Sequence, residues 1–185
     1  MRAKSWPIST RWTVASTPDP TRYAGLLFRA LNPIRAKEPL SGEGAKLHGG
    51  RFNAKGRPAL YTSLSVMTAI RESNQIGTLQ PTTLVSYEAD IGPVFDGRDA
   101  AALARYHMTP ETLAADDWRI RMQPDGKAPT QLFAERLIAD GFAALRVPSF
   151  AKGGAVDDVN MVLWIWGPVL PARLVLNDDE GRLAK

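Results

Sequence analysis

Apolar and polar residues alternate along Thr82–Ile91 (Thr-Thr-Leu-Val-Ser-Tyr-Glu-Ala-Asp-Ile), the two-residue period of a strand with one face in water. Two other segments are apolar without alternation. Tyr23–Leu31 and Val159–Trp166 are short runs bounded by turn residues, and they predict buried strands. Pro33 ends the first. Pro58–Ser63, Phe142–Val147 and Arg173–Leu176 complete the predicted strands.

Helical spacing occupies the intervals. Ser63 or Ser65 caps a helix running to about Gln75, with Val66, Ala69 and Ile70 as its buried stripe. Helices are also predicted over Asp99–Tyr106 and over Pro110–Asp117, the latter with Thr109 as N-cap and Pro110 in the first turn. Thr130–Asp140 carries the stripe Leu132, Phe133, Leu137 and Ile138, and Gly141 stops it. Pro93 and Gly97 mark a turn, and the glycine-rich segment Ala151–Asp158 reads as a mobile loop. Several strand pairs are joined too closely for a helical crossover. The expected fold class is therefore α+β: one domain with mixed or largely antiparallel sheets. Residues 1–21 read as a proline-broken arm (Pro7, Pro18, Pro20) in which only Arg11–Ala15 has strand character, residues 22–177 as the domain, and residues 178–185 as a polar tail.

Composition narrows the chemistry. The chain has 185 residues, 44% of them hydrophobic, enough for one core. It has no apolar run of the ~20 residues that span a bilayer, and no apolar segment follows the charged N-terminus as in a signal peptide. The expectation is a cytoplasmic protein with no membrane contact. The absence of cysteine excludes disulfides, thiolate metal sites and cysteine nucleophiles. With two histidines, His48 and His107, no histidine-based metal site is expected. The net charge of +4 is uneven: residues 1–57 hold 11 Lys and Arg against 3 Asp and Glu. Such a bias suits a nucleic-acid surface or a phosphate-bearing ligand. Here the cations sit in a glycine loop instead of along a helix face, which favours the small ligand.

That loop is the centre of the chemical reading. Five glycines fall between Gly42 and Gly56, with Lys46, Arg51, Lys55 and Arg57 among them. Glycines admit close backbone approach, and arginines pair with phosphate oxygens. The loop leads through the Pro58–Ser63 strand into the helix bearing Glu72. An acid near a helix C-terminus opposes the dipole there, a weak sign of function. Arg29 is the charged exception in an apolar run, suited to reach a ligand or a carboxylate such as Glu72. Known nucleotide motifs fail on detail. Leu47 stands where a dinucleotide fingerprint needs its third glycine, and Gly50-Arg51 follows Gly49 where a P-loop needs Lys-Ser/Thr. No serine lies in a G-x-S-x-G elbow.

Taken in order, Arg29, Pro39-Leu40-Ser41-Gly42-Glu43-Gly44-Ala45, Gly49-Gly50-Arg51-Phe52-Asn53, Pro58–Ser63, Glu72 and Pro148-Ser149 resemble the RES-domain family, and among its members the ParT type. The family is named for an arginine, a glutamate and a serine, which map onto Arg29, Glu72 and Ser149. The tripeptide Arg71-Glu72-Ser73 repeats those letters by coincidence. The resemblance implies a fold related to diphtheria-toxin-like ADP-ribosyltransferases and a bacterial toxin that uses NAD as substrate, without a metal. It either transfers ADP-ribose to an acceptor protein or breaks NAD down as a glycohydrolase or phosphorylase. The implied partner is an antitoxin with an Xre-like helix-turn-helix domain, with no direct contact to nucleic acid.

NAD cleavage passes through an oxocarbenium-like state, and its leaving group needs no general acid. Under that reading Glu72 stabilises the developing charge and Arg29 and Arg51 hold the pyrophosphate. Tyr61 stacks on nicotinamide, Ser149 orients the ribose or carboxamide, and His48 touches the anion. Bland roles stand beside these: Tyr61 as strand packing, Ser149 as a turn residue, His48 as a loop hydrogen bond, and Trp164 and Trp166 as packing. A basic nucleic-acid-binding module and an inactive antitoxin-binding protein are the readings from other classes.

Overall fold

The computed structural model describes residues 21–74, 78–122 and 126–183. The N-terminal arm up to residue 20, with its expected strand at Arg11–Ala15, lies outside them, as do Gln75 and Pro124. Among the described residues seven strands form: β1 (Tyr23–Leu31), β2 (Leu60–Ser63), β3 (Thr83–Ile91), β4 (Val94–Asp96), β5 (Ala144–Pro148), β6 (Val159–Leu163) and β7 (Ala172–Leu176). They make one sheet in the order β4-β5-β6-β2-β1-β3-β7. Only the β4–β5 pair is parallel; every other neighbour is antiparallel. The α+β expectation with a mixed, mainly antiparallel sheet holds.

The continuous apolar run of β6 has a direct cause. Met161 and Leu163 pack into one core with Leu27, Leu60, Tyr87, Ile91 and Leu174. Val162 and Trp164 pack into a second core with Phe52, Leu103, Phe133, Leu137 and Leu145. A strand covered on both faces cannot alternate apolar with polar residues. In the second core Phe95 meets Tyr106, Phe133 and Phe142 edge-on, with ring centroids 5.3–5.6 Å apart, a favoured aromatic geometry.

β1 departs from expectation. It is a strand, but Leu27 and Leu31 alone are buried, and Leu26 is 48% exposed. One face meets the core and the other does not, so its unbroken apolar run does not mean burial on both sides.

The helices are α1 (Glu43–His48), α2 (Val66–Ser73), α3 (Ala100–Ala104), α4 (Pro110–Ala114), α5 (Trp118–Arg121) and α6 (Pro129–Ala139). Caps explain their starts. Ser65 accepts from Thr68 N at 3.1 Å, and Asp99 accepts from Ala101 N at 2.8 Å and Ala102 N at 3.1 Å. Thr109 and Thr112 bond reciprocally across the first turn of α4. In α2 the buried pair is Thr68 and Ala69, with Val66 and Ile70 half-covered, so the expected stripe is rotated by about one position.

Among the strands and α-helices, three were not predicted, and neither was the 3-10 turn Pro33–Arg35. Gly42 and Gly44 disguise α1 as loop, Pro93 and Gly97 make the three-residue β4 read as a turn, and α5 is a single turn beyond α4. A helical turn or three-residue strand is too short to impose a periodic pattern.

Candidate active site

A cavity of about 510 Å³ opens between β1, β2, β6, α2 and the segments around α1 and α5, a size typical of small-molecule sites. Strand register aims its polar floor. Phe28 pairs with Ser63, and Ser63 with Asn160. Directly opposed residues of antiparallel strands share a face, so Phe28, Ser63 and Asn160 lie together, with Tyr61 two residues along β2 on the same side.

Glu72 projects from α2 to this floor. Its Oε1 accepts from Ser149 Oγ at 2.6 Å and from Asn160 Nδ2 at 2.5 Å. Asn160 Oδ1 in turn accepts from Ser63 Oγ at 2.7 Å. Two neutral donors thus fix one carboxylate oxygen. The structure brings Glu72 and Ser149 together, though they are 77 residues apart in sequence. Ser149 is itself placed by its N–H, which donates to Asp158 O at 2.7 Å. Asn160 was not singled out in the sequence. It stands at a polar position within an apolar strand, and that was the signal available.

The adjacent Arg71 looks elsewhere. It pairs with the Asp158 carboxylate, which also accepts from Thr68 Oγ1 at 2.6 Å and Ala155 N at 2.7 Å. The Asp158 carboxyl is held below the ordinary carboxylate range, first by the Thr68 hydroxyl, then by the Ala155 N–H, with Arg71 adding. The loop 151–158, expected to be mobile, closes on itself through Gly154 N to Ala151 O at 3.2 Å and Asp158 N to Ala155 O at 3.0 Å.

Arg29 and Glu72 line the same cavity, and the hydrogen bonds of Arg29 Nη1 go to the main chain. Alternation along β1 puts Arg29 on the face of Leu27 and Leu31, opposite Phe28. Its Nη1 donates to Pro39 O at 3.0 Å and Ser41 O at 3.2 Å, and Tyr87 Oη donates to the same Pro39 carbonyl at 2.6 Å. Arg29 contributes to the cavity wall while tying down the strap between β1 and α1.

Arg51 lines the cavity under the same kind of restraint. Its Nη1 donates to Leu113 O at 2.9 Å and Ala115 O at 2.7 Å, and its guanidinium lies 4.6 Å from the Phe150 ring centre and 5.8 Å from that of Trp118. Burial lowers its pKa, Asp116 opposes the shift, and the like charge of Arg119 adds to it. Of the other loop cations, Lys46 pairs with Glu43 on the surface at 3.1 Å, and Lys55 and Arg57 are exposed away from the cavity.

Two of the loop glycines are required by the protein's own backbone and packing, and both also line the cavity. Gly49 takes φ +71°, and a side chain at Gly50 would fall 2.3 Å from the Tyr61 hydroxyl. That hydroxyl donates to Asn53 Oδ1 at 2.7 Å and accepts from Phe52 N at 3.0 Å; burial pushes its pKa upward. Asn53 Nδ2 reaches Ala45 O and Arg57 O, and buried Gln131 donates to Gly50 O and Asn53 O. The Tyr61 ring lines the cavity, with its hydroxyl committed to the turn. His48 is exposed at the end of α1 and is not part of the lining. Among the described residues no group of acids and histidines is placed to hold a metal ion, and no helix is long and apolar enough to cross a membrane.

The fold matches a chain of the M. tuberculosis MbcT-MbcA toxin-antitoxin complex with a TM-score of 0.59 and 21% identity, covering 85% of this chain and 84% of that one. The two share the α+β architecture expected from the sequence. The RES domain model matches residues 26–183, and the chain belongs to the RES domain family. A relative from Photorhabdus laumondii subsp. laumondii, Toxin Res, is 43% identical over 47 residues, which is 25% of this chain and 30% of that relative.

Proposed function

We propose that this protein is the toxin of a bacterial toxin–antitoxin pair, acting in the cytoplasm on NAD and transferring its ADP-ribose to a cellular protein. Family membership and the toxin relatives support the biological role. The observation that carries the chemistry is the Glu72 carboxylate, oriented by Ser149 and Asn160 on the floor of a cavity walled by arginines and aromatic rings. Its antitoxin carries an Xre-like helix-turn-helix domain, by the same family reasoning.

In this mechanism Glu72 lies beside the ribose. The bond between the anomeric carbon and the nicotinamide nitrogen breaks, and its electron pair leaves with nicotinamide, whose positive charge is neutralised. Glu72 stabilises the positive charge that grows on the ribose ring. Ser149 and Asn160 keep the carboxylate from turning away, so no reorganisation is needed as the charge develops. The acceptor supplies the electron pair for the new bond and gives its proton to solvent. Tyr61 presents a ring for the nicotinamide face, and Arg29 and Arg51 set the positive potential of the wall.

The alternative is hydrolysis or phosphorolysis of NAD, which shares every one of these residues. The test incubates the purified protein, free of antitoxin, with a cell lysate and NAD labelled in its adenylate half. Nicotinamide release together with label on protein is expected, and both vanish in Glu72→Ala. Release without labelled protein would replace transfer by NAD breakdown, and neither signal would overturn the reading.

A further inference from the structure

Among the described residues four arginines line the cavity: Arg29, Arg35, Arg51 and Arg119. Against them stand Glu38 and Glu72, so the lining carries an excess of positive charge. The four differ in what they already hold. Arg29 and Arg51 each spend Nη1 on two main-chain carbonyls. The side chain of Arg35, at the end of a 3-10 turn over Pro33–Arg35, makes no hydrogen bond or ion pair with the described residues, its main chain alone being bonded. The side chain of Arg119 makes none either. Its guanidinium rests 4.4 Å from the ring centre of Trp118, which itself lines the cavity.

Stacking on an indole face holds a guanidinium's plane while leaving its edge donors open, which suits it to an oxyanion. A guanidinium that has spent Nη1 inside the fold has fewer of its five N–H donors left for a ligand than one whose side chain is unbonded. We infer that Arg35 and Arg119 are the pair that binds the ligand's two phosphates, so that the site selects a diphosphate over a monophosphate, while Arg29 and Arg51 shape the wall. Arg119 and Arg51 are near enough for their like charges to oppose one another, and a phosphate at Arg119 relieves that opposition. The inference rests on the proposed use of NAD. It departs from the sequence reading, which gave the pyrophosphate to Arg29 and Arg51, because neither the 3-10 turn nor α5 was visible as part of the site.

The test measures binding of ADP-ribose, NAD and nicotinamide mononucleotide by calorimetry, alongside nicotinamide release from NAD. Arg35→Ala and Arg119→Ala should each weaken ADP-ribose and NAD by about tenfold or more, as expected for a lost charge-assisted hydrogen bond. They should raise KM for NAD with little change in kcat, and affect the mononucleotide less. Arg119→Lys should recover part of the affinity. Arg105→Ala removes an exposed charge outside the cavity and should leave affinity unchanged. If both alanine variants bind ADP-ribose as tightly as the unaltered protein, while that protein still releases nicotinamide, the inference fails and the NAD reading survives. An unaltered protein that neither binds ADP-ribose nor consumes NAD overturns the reading and this inference with it.

Discussion

Glu72, on α2, and Asp158, held against the same helix by Thr68 and Arg71, are carboxylates that their surroundings set apart. Asp158 is 7% exposed and takes a threonine hydroxyl, a main-chain N–H and the Arg71 guanidinium. It closes the loop 151–158 against the helix. Glu72 stands at the cavity, held through one oxygen by the neutral side chains of Ser149 and Asn160. A carboxylate ion-paired against its own helix closes a loop, whereas one that neutral donors orient at a cavity faces what enters the site. The two are coupled through the chain, because the Asp158 carbonyl positions Ser149. The stability centre therefore aims the chemical one.

That division can be broken at either end. The largest effect is expected from Glu72→Gln, which keeps the shape and removes the charge. Nicotinamide release should fall by roughly 10²–10³-fold, as for loss of one group stabilising transition-state charge, with the melting temperature within about 2 °C of the unaltered protein. A loss of stability in place of activity would reverse the roles given to the two acids. Asn160→Ala leaves Glu72 with one neutral tether fewer and Ser63 without its acceptor. Turnover should drop about tenfold, and stability by about 1–3 kcal/mol measured by denaturant unfolding, the usual cost of stranding buried polar partners.

Asp158→Ala attacks the other centre. Thermal melting should move down by roughly 5–10 °C, while kcat changes no more than severalfold, because the main-chain carbonyl that positions Ser149 is retained. The smallest effect lies in acid. Asp158's folded pKa is below its ordinary value of 3.8, so the stabilisation it provides is present above about pH 4 and is lost as pH falls from there through the folded value. Asp158→Asn should flatten the loss of melting temperature below pH 4. The carboxyls of Asp90 and Asp96, also lowered by arginine hydrogen bonds, keep part of that slope. An unchanged acid profile would show that Asp158's contacts contribute nothing to folding.

Much of the architecture was legible in one dimension. The alternation of β3, the apolar run of β6 and the caps at Ser65 and Thr109 are local signals, and each element formed where its signal stood. The residues quoted for the RES resemblance fall within the family match to residues 26–183, and its glutamate and serine are hydrogen-bonded partners. The identity of those residues is local information, which a chain carries whether folded or not.

Which donors remain open for a ligand was decided by the tertiary structure. Arg29 and Arg51 lost Nη1 to carbonyls of segments the sequence does not mark as neighbours. Gly50 makes room for the Tyr61 hydroxyl, and Gly49 takes a positive φ. Asn160 gained its role because register sets it opposite Ser63 and within reach of Glu72. Arg35 and Arg119 joined the cavity from a 3-10 turn and a single helical turn. Composition and spacing determine which charges and periods a chain has. Which hydrogen bonds those groups spend inside the fold depends on contacts between distant segments, and only the packed structure brings those segments together.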